Sequence, residues 1–208
     1  MAEKKILVVA TTNEHKIREI STIAGTFGYS VISRAEAGVP DFEIEETGET
    51  FEENSLLKAQ GIFDFLEGKY AVVADDSGLV VDALDGAPGV YSARFADDIG
   101  PRCSQDQANN KKLLGLMEDI PYEKRTGRFV SVITCVLPDK PVLVCRGEVE
   151  GFVDFKESGP EGFGYDPLFI PLGYDYSFGL FAPEDKNAIS HRGRALTKLA
   201  EKLAAENE

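Results

Sequence analysis

A short apolar run, Ile6-Leu-Val-Val-Ala10, passes straight into polar Thr11-Thr12-Asn13-Glu14-His15-Lys16. A β-branched run of that length reads as a buried strand over residues 5 to 10. Ile17, Ile20, Ala24 and Phe27 then recur at helical spacing, so a helix follows at once, with Thr12 or Asn13 as its cap. A buried strand feeding a helix through a few residues is the start of an α/β architecture.

The rest of the chain extends that pattern. Residues 30 to 33 form a second short strand. Thr50 with Glu53 three residues on is a capping-box signature, and it opens a helix that runs to about Leu66. The apolar run Ala71-Val-Val-Ala74 is a third strand. Gly78, Gly86, Pro88 and Gly89 make the following segment strand and turns. Leu113, Leu114 and Leu116 support a helix from about Gln105 to Met117. Residues 128 to 137 and 142 to 153 read as strands joined across Pro138-Asp-Lys-Pro141. In the second, Leu143, Cys145 and Val149 share one face, while Arg146, Glu148 and Glu150 share the other. A last helix starts at Ser190 and turns Leu196, Leu199 and Leu203 inward. Early βα units followed by adjacent strands predict a mixed sheet.

With 208 residues the chain suits a single domain, with room for two lobes and a sizeable core. Its formal net charge of −14 speaks against broad binding to nucleic acid, which needs a basic footprint, but leaves room for a small anion in a local basic pocket. Cys103, Cys135 and Cys145 are odd in number and lack C-x-x-C spacing, so reduced thiols in a cytoplasmic protein are expected. The N-terminal apolar run is too short for a signal peptide, and no stretch is long enough to span a membrane.

Five segments could carry chemistry. At the first strand-to-helix junction, Thr11, Thr12 and Asn13 add donors to a helix N-terminus, with Lys16 in the first turn; the alternatives are a phosphate site and plain capping. The acidic run from Glu43 to Glu53 is explained by the helix dipole and solubility, while Asn54 and Lys58, at i and i+4, could face a phosphate. Asp75 and Asp76 end an apolar run side by side. Successive strand residues face opposite ways, so only one of them can serve a given site. Either they turn the chain before Gly78, or one holds Mg²⁺ or activates water. In Gly159 to Phe169, Phe163 and Asp166 among glycines would suit a nucleobase, and a core-packed turn would suit them as well. Lys186, His191 and Arg192 gather cations around a helix start, against the dipole preference, as an anionic or carbonyl-rich ligand would require.

Taken in order, "TTNEHKIREI", "FEENSLLKA", "ADDSGLVVDALDGAPGVYSARF", "GFGYDPLF" and "KNAISHRGRAL" resemble the inosine/xanthosine triphosphate pyrophosphatase family over nearly the whole chain. One departure is visible: the first loop commonly reads Thr-Gly-Asn, and a positive φ there would strain Thr12. The resemblance implies an elongated, two-lobed α/β fold with the active-site cleft between the lobes, usually a homodimer. It implies Mg²⁺-dependent hydrolysis of a non-standard purine nucleoside triphosphate (ITP, dITP or XTP) to the monophosphate and pyrophosphate. Asp76 would be general base and metal ligand, with Glu45 as the second carboxylate. Thr11, Thr12, Asn13, Glu14, His15, Lys16 and Ser77 would grip the triphosphate, with Asn54 and Lys58 nearby. Phe163, Gly164, Tyr165, Asp166, Lys186, His191 and Arg192 would select the base. Two rivals are a Maf-like pyrimidine triphosphate pyrophosphatase, which the SHR and FGYD segments oppose, and a non-catalytic nucleotide-binding protein, which would dispense with Glu45 or Asp76.

Overall fold

The computed structural model describes residues 5–42, 44–97 and 104–205; Glu43 and Cys103, both noted in the sequence, lie outside them. The chain is α/β, with one six-stranded sheet of order β2-β1-β3-β4-β5-β6. The strands are β1 (Lys5–Val9), β2 (Tyr29–Ser33), β3 (Ala71–Val81), β4 (Thr126–Val136), β5 (Leu143–Val153) and β6 (Phe169–Pro171). The helices are α1 (Glu14–Thr26), α2 (Phe51–Phe65), α3 (Gln105–Leu116), α4 (Pro183–Ile189) and α5 (His191–Ala205). β1 runs parallel to β2 and β3, whereas β6 is antiparallel to β5, so the sheet is mixed as expected.

The chain divides into two compact units. The first comprises 1–76, 131–147 and 191–208, and the second 77–130 and 148–190. In the first, period-2 alternation gives β1 and the start of β3 two buried faces. Leu7, Val9 and Val73 pack with Ile20 and Ala24 of α1 and Ala195, Leu196, Leu199 and Leu203 of α5. Val8, Ala10, Val72 and Ala74 pack on the other side with Ala59 and Ile62 of α2. In the second unit, Leu79, Val81, Phe129, Val149 and Val153 pack with Leu113 and Met117 of α3 and with Tyr165, Phe169, Phe178 and Phe181. Arg125 lies inside this unit and donates only to backbone carbonyls, those of Met117, Ile120, Val153 and Asp154, which closes the end of α3 onto β5.

Several local expectations change. The third strand does not stop at Ala74: β3 continues to Val81, so the paired aspartates sit in mid-strand and are not turn residues. Burial by neighbours on both faces carries the strand through a charged pair that local propensity would break. Phe27 caps α1 and stays largely exposed, and Leu116 likewise faces out. β6 and α4 carry too short a periodic pattern to be read from sequence. Lys186 belongs to α4, so the three cations do not share the start of one helix.

Candidate active site

The first unit carries a cluster of charged candidate residues. Asn13 caps α1, its Oδ1 accepting from the N–H groups of His15 (3.0 Å) and Lys16 (3.2 Å), and its own N–H donates to Thr11 Oγ1. Thr12, Asn13, Glu14 and His15 are exposed. Thr12 is not among the positive-φ residues, so the missing glycine leaves no strain. Capping and anion binding are compatible here, because a helix start has four N–H groups without intrahelical partners.

The alternation that builds the two apolar faces also separates the two aspartates. Asp75 points the way of Val73, toward α1 and α5. Its Oδ2 lies 2.7 Å from Lys16 Nζ and 3.1 Å from Arg192 Nη2, and Ser131 Oγ donates to its Oδ1 at 2.5 Å. Arg192 also pairs with Glu19. Burial pushes the Asp75 carboxyl upward, but Arg192 and Lys16 outweigh it and hold it well below the usual carboxylate range. Burial lowers the Lys16 ammonium, with Asp75 opposing the shift. For Arg192 the burial effect is outweighed by Asp75 and Glu19, which raise it. The resemblance assigns Arg192 to the base, yet in this structure its guanidinium is buried at 1% exposure among carboxylates.

Asp76 points the other way, toward α2. Lys58 Nζ stands 2.5 Å from its Oδ1 and 3.5 Å from Glu46 Oε2. Asp76 Oδ2 is buried with no hydrogen-bond partner. Burial raises this carboxyl, only partly opposed by Lys58 and Lys16. The acidic loop that carries Glu45 and Glu46 is anchored to the start of α2. Glu53 accepts from Glu49 and Thr50, and Asn54 grips Gly48 through both its N–H and its carbonyl. Asn54 therefore shapes the loop, whereas Lys58 faces a carboxylate. Glu45 is exposed; Glu46, which the sequence reading passed over, is the half-buried one.

Ser77 follows Asp76 and is half-buried. The second unit carries the aromatic candidate loop. Phe163 N–H donates to Asp166 Oδ2 (2.8 Å), and Lys186 Nζ reaches the same oxygen at 2.6 Å while lying 4.9 Å from the centre of the Phe163 ring. Gly164 is held between two α3 side chains, its N–H 2.8 Å from Asp106 Oδ2 and its carbonyl 3.1 Å from Asn110 Nδ2. Tyr165 OH donates to Ser92 O at 2.8 Å. The "GVYSARF" segment thus backs the aromatic loop, a link that separate motifs in a sequence do not disclose. His191 is buried at the start of α5, in the first unit. Among the described residues no helix is long and apolar enough to cross a membrane.

These residues sit in a frame with many relatives. A curated dITP/XTP pyrophosphatase of Clostridium perfringens is 44% identical over 203 residues, covering 96% of this chain and 97% of its own. One of Bacillus cereus is 46% identical over 210 residues, covering 98% and 97%. The solved Ham1 protein of Staphylococcus aureus superposes with a TM-score of 0.83 at 40% identity, covering 97% of this chain and all of its own. The model of the Ham1 family matches residues 7–202, and the chain belongs to that family.

Proposed function

We propose that this chain hydrolyses non-standard purine nucleoside triphosphates (ITP, dITP and XTP) to the monophosphate and pyrophosphate with Mg²⁺. The observation that carries the proposal is Asp76: one oxygen bound to Lys58, the other buried without a protein partner, and a carboxyl biased by burial toward taking a proton. The dITP/XTP pyrophosphatase relatives supply the reaction class.

A carboxylate oxygen left unsatisfied in the interior is costly unless a cation or water meets it. Mg²⁺ takes hard oxygen ligands and is commonly held by one or two carboxylates plus substrate phosphates. Asp76 with a carboxylate of the Glu45–Glu46 loop fits that demand; the resemblance favours Glu45, and proximity to Lys58 favours Glu46. When bound, the ion neutralises phosphate charge and lowers the pKa of coordinated water.

The protein's own groups do the rest. Asp76 accepts a proton from the water that attacks the α-phosphorus, and the bond from that phosphorus to the bridging oxygen breaks to release pyrophosphate. Lys16, Lys58, Ser77 and the α1 N-terminus with Thr11–His15 offset the triphosphate charge. Phe163 stacks on the base, with Lys186, Asp166 and His191 as its polar contacts, while Arg192 is engaged with Asp75 and Glu19. A purine with a carbonyl at C6 satisfies a donor that adenine leaves unpaired, worth about 1–3 kcal/mol. The same reading places the protein as a cytoplasmic homodimer acting on free nucleotides.

A panel of ITP, dITP and XTP against ATP, GTP, UTP and dTTP, with pyrophosphate distinguished from phosphate, tests the reading. Pyrophosphate from the 6-oxo non-standard purines with little from ATP is the expected result. A preference for pyrimidines would reject the base assignment, and binding without turnover would reject the chemistry.

A further inference from the structure

We propose that Asp106 and Asn110 of α3 are positioning residues for base selection: together they fix both peptides of Gly164, and so decide whether the loop offers the base a donor or an acceptor. This rests on the reading of Phe163–Asp166 as the base loop. Four residues apart, the two side chains share one face of α3 and meet the same glycine. Asp106 Oδ2 takes the Gly164 N–H at 2.8 Å, and Asn110 Nδ2 donates to the Gly164 carbonyl at 3.1 Å.

A trans peptide points its C=O and N–H in opposite directions. With the Gly164 carbonyl drawn to α3, the Tyr165 N–H is aimed away from it, as a donor matched to an acceptor such as a 6-carbonyl. With the Gly164 N–H drawn to α3, the Phe163 carbonyl is turned away, where it accepts from the Asp166 N–H at 3.2 Å. Gly164 has φ +60° with nothing within 4 Å of a would-be Cβ, so it has no side chain of its own to anchor the turn. The Asp166 N–H helps hold the 163–164 peptide, and Asn110 of α3 holds the 164–165 peptide through the Gly164 carbonyl. A flipped 164–165 peptide would present a carbonyl, which suits a 6-amino base and repels a 6-oxo one.

Asn110 shows the cost of holding that orientation. It is 2% exposed, and its Oδ1 has no hydrogen-bond partner. An unpaired buried acceptor is a poor choice for packing alone, where a leucine would serve better. The preceding α3 residue, Asn109, reinforces the loop through the 92–96 segment. It donates to Ser92 O and Ala93 O at 3.1 Å each and accepts from Ala96 N–H, while Tyr165 OH shares Ser92 O.

The experiment compares kcat/KM for dITP and dATP in wild type, Asp106→Ala, Asp106→Asn and the double variant Asp106→Ala/Asn110→Leu, with thermal melts throughout. Asp106→Ala is expected to lower the dITP/dATP ratio by about tenfold, mainly through KM. Asp106→Asn keeps an acceptor for the Gly164 N–H and is expected to restore the ratio. The double variant is expected to lose most selectivity while melting close to wild type. A double variant that folds and keeps the wild-type ratio within about twofold overturns the proposal, as does failure of Asp106→Asn to outperform Asp106→Ala. If the double variant does not fold, the exposed Asp106 position carries the test alone. Calorimetric affinities for dIMP and dAMP separate this proposal from the parent reading. Wild type that binds dIMP over dAMP without turnover rejects the hydrolase chemistry and leaves the binding ratio of the variants as the measure. Wild type that binds neither overturns both.

Discussion

Lys58 Nζ lies 2.5 Å from Asp76 Oδ1, while Asp76 Oδ2 is buried without a partner. The two oxygens of one carboxylate are thus differentiated: Lys58 holds one, and the other has no hydrogen-bond partner in the protein. Asp76→Asn keeps the shape and removes the proton acceptor. A loss of about 10²–10⁴-fold in kcat is expected, the range of a positioned general base. Steady-state turnover of dITP checks it, and activity within a fewfold of wild type would remove Asp76 from that role.

The acidic loop offers two candidates for the second metal carboxylate. Glu45→Gln and Glu46→Gln, titrated with Mg²⁺ at saturating dITP, separate them. Whichever residue is the ligand is expected to raise the half-maximal Mg²⁺ concentration by about tenfold or more, in line with weakened metal shells. Unchanged Mg²⁺ dependence in both variants would take the metal away from this loop.

Asp75 tests the buried ion network of α1 and α5. Asp75→Ala leaves Lys16 and Arg192 close together with Glu19 as the remaining counter-charge. Removing one partner from a buried pair costs about 3–5 kcal/mol. Urea unfolding is expected to show a loss near that size, partly recovered when Lys16→Met is added. Additive losses in the double variant would mean the two residues do not interact.

Gly48 is packed, not merely flexible. A Cβ there would lie 2.6 Å from Glu53 Cβ and 2.7 Å from Asn54 Oδ1. Gly48→Ala is expected to destabilise by about 1–3 kcal/mol through overpacking and to displace the loop that carries Glu45 and Glu46. The check is a paired measurement of melting temperature and Mg²⁺ dependence, both of which should worsen.

Cys135 carries a pH signature. Burial, with a smaller contribution from Cys145, pushes its thiol from 9.0 up to about 12. The unfolded chain therefore ionises this thiol first. Its contribution to stability is complete below about pH 9 and is lost progressively as pH rises toward 12, by at most about 1.4 kcal/mol per pH unit. Cys135→Ala leaves a cavity that lowers stability at every pH, but it should flatten the slope between pH 9 and 12 relative to wild type. Equal slopes would show that Cys135 ionises freely in the folded state.

The sequence by itself determined most of the local elements, β6 and α4 excepted, and the family. Short β-branched runs specified β1 and the core of β3, Thr50 with Glu53 specified the start of α2, and ordered motifs specified the Ham1 match. Alternation even told that Asp75 and Asp76 must serve different faces. Only the tertiary structure decided what each face holds. Arg192 reaches Asp75 across 117 positions and Glu19 across 173, and Asp106 reaches Gly164 across 58. Local propensity and periodicity act within a turn or a strand pair, whereas a buried charge or a loop peptide is satisfied by whatever distant segment the fold delivers to it. Arg192 among carboxylates and Gly164 between two α3 side chains are therefore properties of the packed chain, and no short stretch of the sequence contains them.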